Sequence, residues 1–304
     1  MRKAFLAIIL GAALWGTIGW YVKNLYSLGF TPMEVVTLRA WSAALILVIY
    51  LIITSPSKLK LKSLSDIKYF IGTGIFSIIF FNYCMFTAID LSTIPVATAL
   101  LYTAPAFVTI FSFFLFKEPL TGPKLIALLI TLAGTALIVG LVPLDMSVFS
   151  LSAIMFGLGS GVGYALYSIF SKFALKKYSS LSITTYTFIV AAVTLMPFFP
   201  YEDKFFLLMD PTILFYVLGL GFLPTSFAYI IYTYGLNRTE ASKASILTTI
   251  EPVVATIIGI YIFEEPFSLT QLVGMICIIG AVIVIQTNVR NRKKNLFAQK
   301  RYIN

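Results

Sequence analysis

Glu251 is the one acidic residue near the middle of an apolar run, and a carboxyl at that depth has two chemical uses. It can receive the ammonium group of a substrate, or it can carry a coupling proton. As a structural group it would instead stay neutral or hydrogen-bonded and tie its helix to a neighbour. On insertion scales an Asp, Lys or Arg at the centre of a membrane helix costs about 2.5–3.5 kcal/mol, so such a charge calls for a reason. Thr98, Tyr102, Pro105 and Thr109 are spaced four, three and four apart, which places them on one helical face. Ser245, Thr249, Pro252 and Thr256 repeat that spacing, so the two polar stripes either face a common cavity or serve interhelical packing. Pro105 and Pro252 fall mid-run, where each should clash with the carbonyl of Leu101 or Thr248 and kink its helix. Freed carbonyls are tolerated in lipid only where protein or water receives them. Paired interruptions in corresponding spans point to a carrier's binding site, the alternative being a kink used for packing shape.

Further candidates surround these. Trp15, Asn82, Tyr83, Tyr164, Tyr167, Tyr229 and Tyr232 would give an aromatic, hydrogen-bonding lining, although a ring alone is more often a packing group than a ligand contact. Glu118 and Glu265 each precede a proline at the end of a run. They are expected to pair with local lysines or cap loops, and as a pair could latch two gates. Arg39 is expected to pair with Glu34 near the membrane interface as a topology and folding element. Lys23 is placed similarly, within reach of a carboxylate-bearing substrate. Trp20 and Tyr21 read as part of an interfacial belt. Gly157, Gly159, Gly161 and Gly163 imitate a dinucleotide loop. No strand precedes them, and inside an apolar run they read as small-residue ridges for close helix contact.

The elements that must position these groups are written twice. Sliding Tyr69–Leu125 by 147 positions lays Gly72 on Gly219, Ala97 on Ala244, Pro105 on Pro252 and Glu118-Pro119 on Glu265-Pro266 without a gap. One register held this long is a duplication, with a period too long for a solenoid. About 20 apolar residues span a bilayer, and ten runs qualify: 4–22, 34–53, 67–89, 94–116, 123–142, 150–172, 182–199, 212–236, 242–263 and 269–287. Prolines 32, 56, 123, 143 and 211 punctuate between runs or at their first turns. With the N terminus in the cytoplasm, nineteen of the 22 Lys and Arg fall on that side. That is the positive-inside pattern. The predicted topology is ten helices with both termini cytoplasmic. Five helices per repeat is an odd number, so the halves insert upside down relative to each other, as in alternating-access carriers.

Composition agrees with this placement. Of 304 residues, 59% are hydrophobic and 11% charged, where a soluble chain carries about a quarter charged. The net charge of +10 sits in short segments between runs rather than in a nucleic-acid patch. The chain has no His, and Cys84 and Cys277 lie inside apolar runs. His-based catalysis, a Cys or His metal site and a disulfide framework are therefore excluded, and no cofactor is called for. Arg2-Lys3 followed by an apolar run imitates a signal peptide, but the run has the length of a span.

Leu14-Trp15-Gly16-Thr17 with Lys23, Leu38-Arg39-Ala40, Pro105 leading to Lys117-Glu118-Pro119, and Glu251-Pro252 leading to Glu264-Glu265-Pro266 together resemble the EamA family of the drug/metabolite transporter superfamily. The resemblance covers residues 4–287 and implies a ten-helix carrier with a central cavity, commonly an exporter of amino acids or other small metabolites. Gly163-Tyr164-Ala165 departs from the pattern, standing where a Trp is usual.

The expectation is an all-α integral membrane protein of ten transmembrane helices in two inverted five-helix repeats. Residues 4–142 form the first, 150–287 the second, and 288–304 a basic cytoplasmic tail. It would sit in a bacterial plasma (inner) membrane and move a small metabolite, an amino acid favoured, with homodimerisation left open. Its partners would be that substrate and the lipid bilayer, not nucleic acid. The alternatives are an exporter of cationic drugs or other solutes, an intramembrane enzyme, or a channel or scaffold. An enzyme would need clustered acid, base or metal ligands that this chain lacks.

Overall fold

Apolar runs that satisfy their own backbone hydrogen bonds can only be helices in lipid, and helices are what the chain forms. The computed structural model describes residues 2–141 and 150–303, with side chains through Gln286. The spans are α1 (Arg2–Ser27), α2 (Pro32–Thr54), α3 (Leu64–Leu91), α4 (Ile94–Phe116), α5 (Gly122–Ile138), α6 (Leu151–Ala174), α7 (Ser180–Phe198), α8 (Pro211–Leu236), α9 (Ala241–Phe263) and α10 (Leu269–Gln286). At 17 residues α5 is the shortest, still about 25 Å long at 1.5 Å per residue. The backbone of α10 continues as helix to Ile303. The tail side chains from Arg290 to Arg301, and Pro143, lie outside the described residues.

Helix starts follow from local chemistry. Thr31 and Glu34 form a reciprocal capping box ahead of Pro32 at the start of α2. Ser150, Ser179 and Asp210 accept backbone N–H groups at the starts of α6, α7 and α8. Lys117 and Glu264, 147 positions apart, end α4 and α9 in the same left-handed conformation at φ 53°, so the duplication extends to individual backbone angles.

Helix pairing follows the inverted repeat. Helix pairs that cross between the repeats include α5 with α10, α3 with α6, α1 with α8, α2 with α7 and α4 with α9. Exchanging the halves turns the α1–α8 pair into the α6–α3 pair and maps the other three onto themselves, as a pseudo-twofold axis requires. Gly163 shows what the small-residue ridge on α6 is for. A Cβ there would lie 2.9 Å from the Cα of Phe81 on α3, so only glycine permits this approach. Tyr21, assigned to the interfacial belt from the sequence, is instead buried between α1 and α8.

Three spans are interrupted at mid-depth. Helix is lost between Trp15 and Ile18 in α1, between Leu101 and Ala104 in α4, and between Leu247 and Ile250 in α9. The prolines therefore do not kink continuous helices, as the sequence suggested. Pro105 and Pro252 each stand in the first turn of a second half-helix, where no helical N–H is lost. At each break a threonine hydroxyl adds a second hydrogen bond to a carbonyl that already accepts a backbone N–H. Thr17 donates to Leu14 O (2.7 Å), Thr103 to Leu100 O (2.6 Å) and Thr249 to Ile246 O (2.6 Å). The break in α1 was not anticipated, although Gly16-Thr17 marks it. A Cβ on Gly16 would come within 2.7 Å of Glu251 O and of Val254 Cβ, so α1 and α9 touch where both are broken.

Candidate functional site: a mid-membrane cavity with one guanidinium and one carboxylate

A cavity of about 270 Å³ starts at the broken helices, where Trp15, Tyr102 and Glu251 form its floor. It runs past Arg39, Phe81 and Asn82 to Tyr26 and Pro32, at the face opposite the N terminus. Pockets for drug-sized ligands occupy about 300–1,000 Å³, so this volume suits a smaller molecule. Among the described residues no cluster of three or more His, Cys, Asp or Glu could hold a metal ion.

Glu251 enters the cavity wall through the break in α9. It stands in the first turn of the half-helix Ile250–Phe263. Its Oε2 accepts a hydrogen bond from the Tyr164 hydroxyl on α6 (2.9 Å). Asn82 is held by its own helix, donating to Ile78 O (2.7 Å). Under the floor, Trp15 packs against Tyr229 and Tyr232 with ring centroids 4.9 Å from each. Ser168 hydrogen-bonds Tyr232 (2.6 Å) and Tyr167 hydrogen-bonds Thr233 (2.8 Å). These partnered rings make a stiff base. The indole Nε1 of Trp15 is buried without a partner.

Arg39 is where the sequence expectation fails. Glu34 accepts from the Thr31 N–H (2.9 Å) in its capping box and makes no ion pair with Arg39. One helical turn further along α2, Arg39 points inward, 7% exposed, and donates from Nη2 to the Tyr229 hydroxyl (3.2 Å). A charged side chain inside a predicted span was the signal that could have placed it in the cavity.

The hydroxyl stripes are also corrected in part. Tyr102 lines the cavity, but Thr98, Ser245 and Thr249 are absent from its wall. Ser245 and Thr249 are buried and donate to carbonyls of their own helix, Ser242 O (3.0 Å) and Ile246 O (2.6 Å). Thr109 and Thr256 do the same to Pro105 O and Pro252 O. Mid-depth hydroxyls reach the nearest backbone acceptor first, and the breaks rotate each half-helix out of a common stripe. Tyr83 is 54% exposed, against Phe156 and away from the cavity, because a residue next to inward-facing Asn82 is turned by about 100°.

The two repeat-related glutamates meet different surroundings. At the N-terminal face Glu118 is buried and caps α9, accepting from Ala241 N (2.7 Å), Ser242 N (3.1 Å) and Ser242 Oγ (2.5 Å). Buried Lys124 lies 3.9 Å from Glu118 and 2.5 Å from Glu240. Just outside α9, Glu240 bonds both Lys124 and Lys243; burial opposes its ionisation, yet those lysines hold its carboxyl below the usual carboxylate range. At the opposite face Glu265 pairs, among the described residues, only with Lys23, and both are about half exposed.

The sequence pattern of the EamA-like transporter family matches residues 2–140 and again 151–287. The chain belongs to that family. An uncharacterized transporter of Archaeoglobus fulgidus is 30% identical over 93% of this chain and 96% of its own length. The uncharacterized inner membrane transporter YicL of Salmonella typhimurium is 25% identical over 96% of this chain and 98% of its own. A solved crystal structure superposes with a TM-score of 0.76 over 96% of this chain and 99% of its own, at 18% identity, a likeness of fold. This EamA-family chain is thus a multi-pass membrane transporter whose two repeats meet around the cavity.

Proposed function

We propose that this transporter is a secondary carrier that exports a small amphipathic metabolite, an amino acid above all, by rocking one five-helix half against the other. The observation that carries this reading is the asymmetry of its two ends. The cavity reaches one face, while at the other Glu118 binds the start of α9 across the repeat boundary. Three half-helix ends converge on the cavity floor, the arrangement in which carriers bind solutes at mid-membrane. Glu118 serves as the inner latch, closed here, and its repeat counterpart Glu265, which keeps only an exposed pair with Lys23 at the open face, as the outer one. Glu251 binds the substrate ammonium or a coupling proton. The chain sits in a plasma membrane with both termini cytoplasmic and acts without catalysing a covalent reaction. The aromatic wall beside Glu251 favours organic cations as the second reading.

Counterflow in proteoliposomes tests the proposal. Vesicles loaded with unlabelled amino acids, nucleosides or quaternary amines are followed for uptake of the labelled compound. Transient accumulation that decays as the pools equilibrate is expected with amino acids. Exchange confined to quaternary amines would favour the cation reading, and no exchange beside an active control carrier would remove the transport claim.

A further inference from the structure

The geometry points to Arg39 as the anchor for the substrate's carboxylate, and so as the residue that separates an amino acid from the corresponding amine. This rests on the carrier reading above and deepens it. Arg39 lines the same cavity as Glu251 and is more than nine-tenths buried. A guanidinium offers five N–H donors in a rigid fork. Here Nη2 is spent on a phenol, Tyr229, and Nε is buried with no partner at all. Among the described residues no carboxylate forms an ion pair with Arg39. Glu34 is held by Thr31, and Glu251 accepts from Tyr164. A buried guanidinium without a direct ion pair is costly to keep, and the matching partner for the fork is a carboxylate bound through two parallel hydrogen bonds. Arg39 on α2 and Glu251 on α9 thus offer an anion site and a cation site on opposite halves of one small cavity. A solute bearing both charges joins the two halves, which neither an amine nor an acid alone can do.

The test is calorimetric binding to the full-length protein in detergent, with counterflow on the same preparations. The probes are phenylalanine, phenethylamine and 3-phenylpropanoate, then leucine, isopentylamine and 4-methylpentanoate. Wild type should bind the amino acid about tenfold or more tightly than either relative. In Arg39→Gln the amino acid should fall to the level of the amine while the amine keeps its affinity. In Arg39→Lys, which keeps the charge but loses the fork, the preference should shrink without vanishing. Three results overturn the assignment: equal binding of amine and amino acid by wild type, equal loss of both in Arg39→Gln, or an undiminished preference in Arg39→Lys. Binding of neither amino acid overturns it as well. The Lys variant decides the matter if the Gln variant does not fold. Counterflow that persists while the preference is absent would leave the carrier standing and Arg39 without this role. Preference without counterflow would do the reverse.

Discussion

Glu251 and Tyr164 form the one hydrogen bond that joins the cavity's carboxylate to a side chain of the same repeat but a different helix. Removing the charge while keeping the shape, as in Glu251→Gln, should lower amino-acid counterflow at least tenfold and flatten its dependence on pH. Rates and pH profile equal to wild type would dismiss Glu251 from the site. Tyr164→Phe removes only the hydroxyl. A hydrogen bond to a charged group contributes about 1.5–3 kcal/mol, so a loss of tenfold or more is expected here too, with the pH dependence retained because the carboxyl remains. Both measurements belong to the same proteoliposome assay.

At the level of elements, the close contact of α3 with α6 depends on atoms that are absent. Gly163→Leu would drive a side chain into the backbone of Phe81, and overpacking of this kind costs about 1–3 kcal/mol, or more when backbone must move. Gly280 on α10 has nothing within 4 Å of its would-be Cβ, so Gly280→Ala should be neutral or slightly stabilising through helix propensity. Thermal melting of the detergent-solubilised variants, followed by size-exclusion profile, checks both. Equal melting temperatures would mean that the ridge on α6 is not a packing contact. The broken spans carry a further lesson: proline placed the interruptions in α4 and α9, yet the helix ends four residues before it in α4 and five before it in α9.

Across the whole molecule, the repeats share a sequence register and are unequal in structure. Glu118 satisfies two backbone N–H groups and a hydroxyl at the start of α9. Leaving such groups unpaired costs about 1–3 kcal/mol each, so Glu118→Ala should lower thermal stability markedly. Glu265 meets one exposed lysine, and surface ion pairs contribute about 0–1 kcal/mol, so Glu265→Ala should leave the melting temperature nearly unchanged. A large loss from Glu265→Ala and a small one from Glu118→Ala would mean that the population in solution is closed at the other face.

By itself the sequence determined the span number, the duplication, the inverted relation of the halves and the family. These depend on composition, on a period and on an odd helix count, all of which are properties of the chain written in one dimension. It also picked Trp15, Asn82, Tyr102 and Glu251, because polar or aromatic groups inside apolar runs stand out against their neighbours. Which of its candidates share a cavity was decided only by tertiary structure. Direction around a helix depends on where that helix is broken, and the breaks in α1, α4 and α9 turned Thr98, Ser245 and Thr249 away from the wall. The same holds for Arg39, whose expected partner Glu34 lies five residues away in the chain. The capping box took that carboxylate, and packing of α2 against α7 and α8 left the guanidinium facing the cavity. Which repeat holds its latch shut is likewise invisible in a duplicated sequence, because both copies carry the same Glu-Pro and only packing makes them differ.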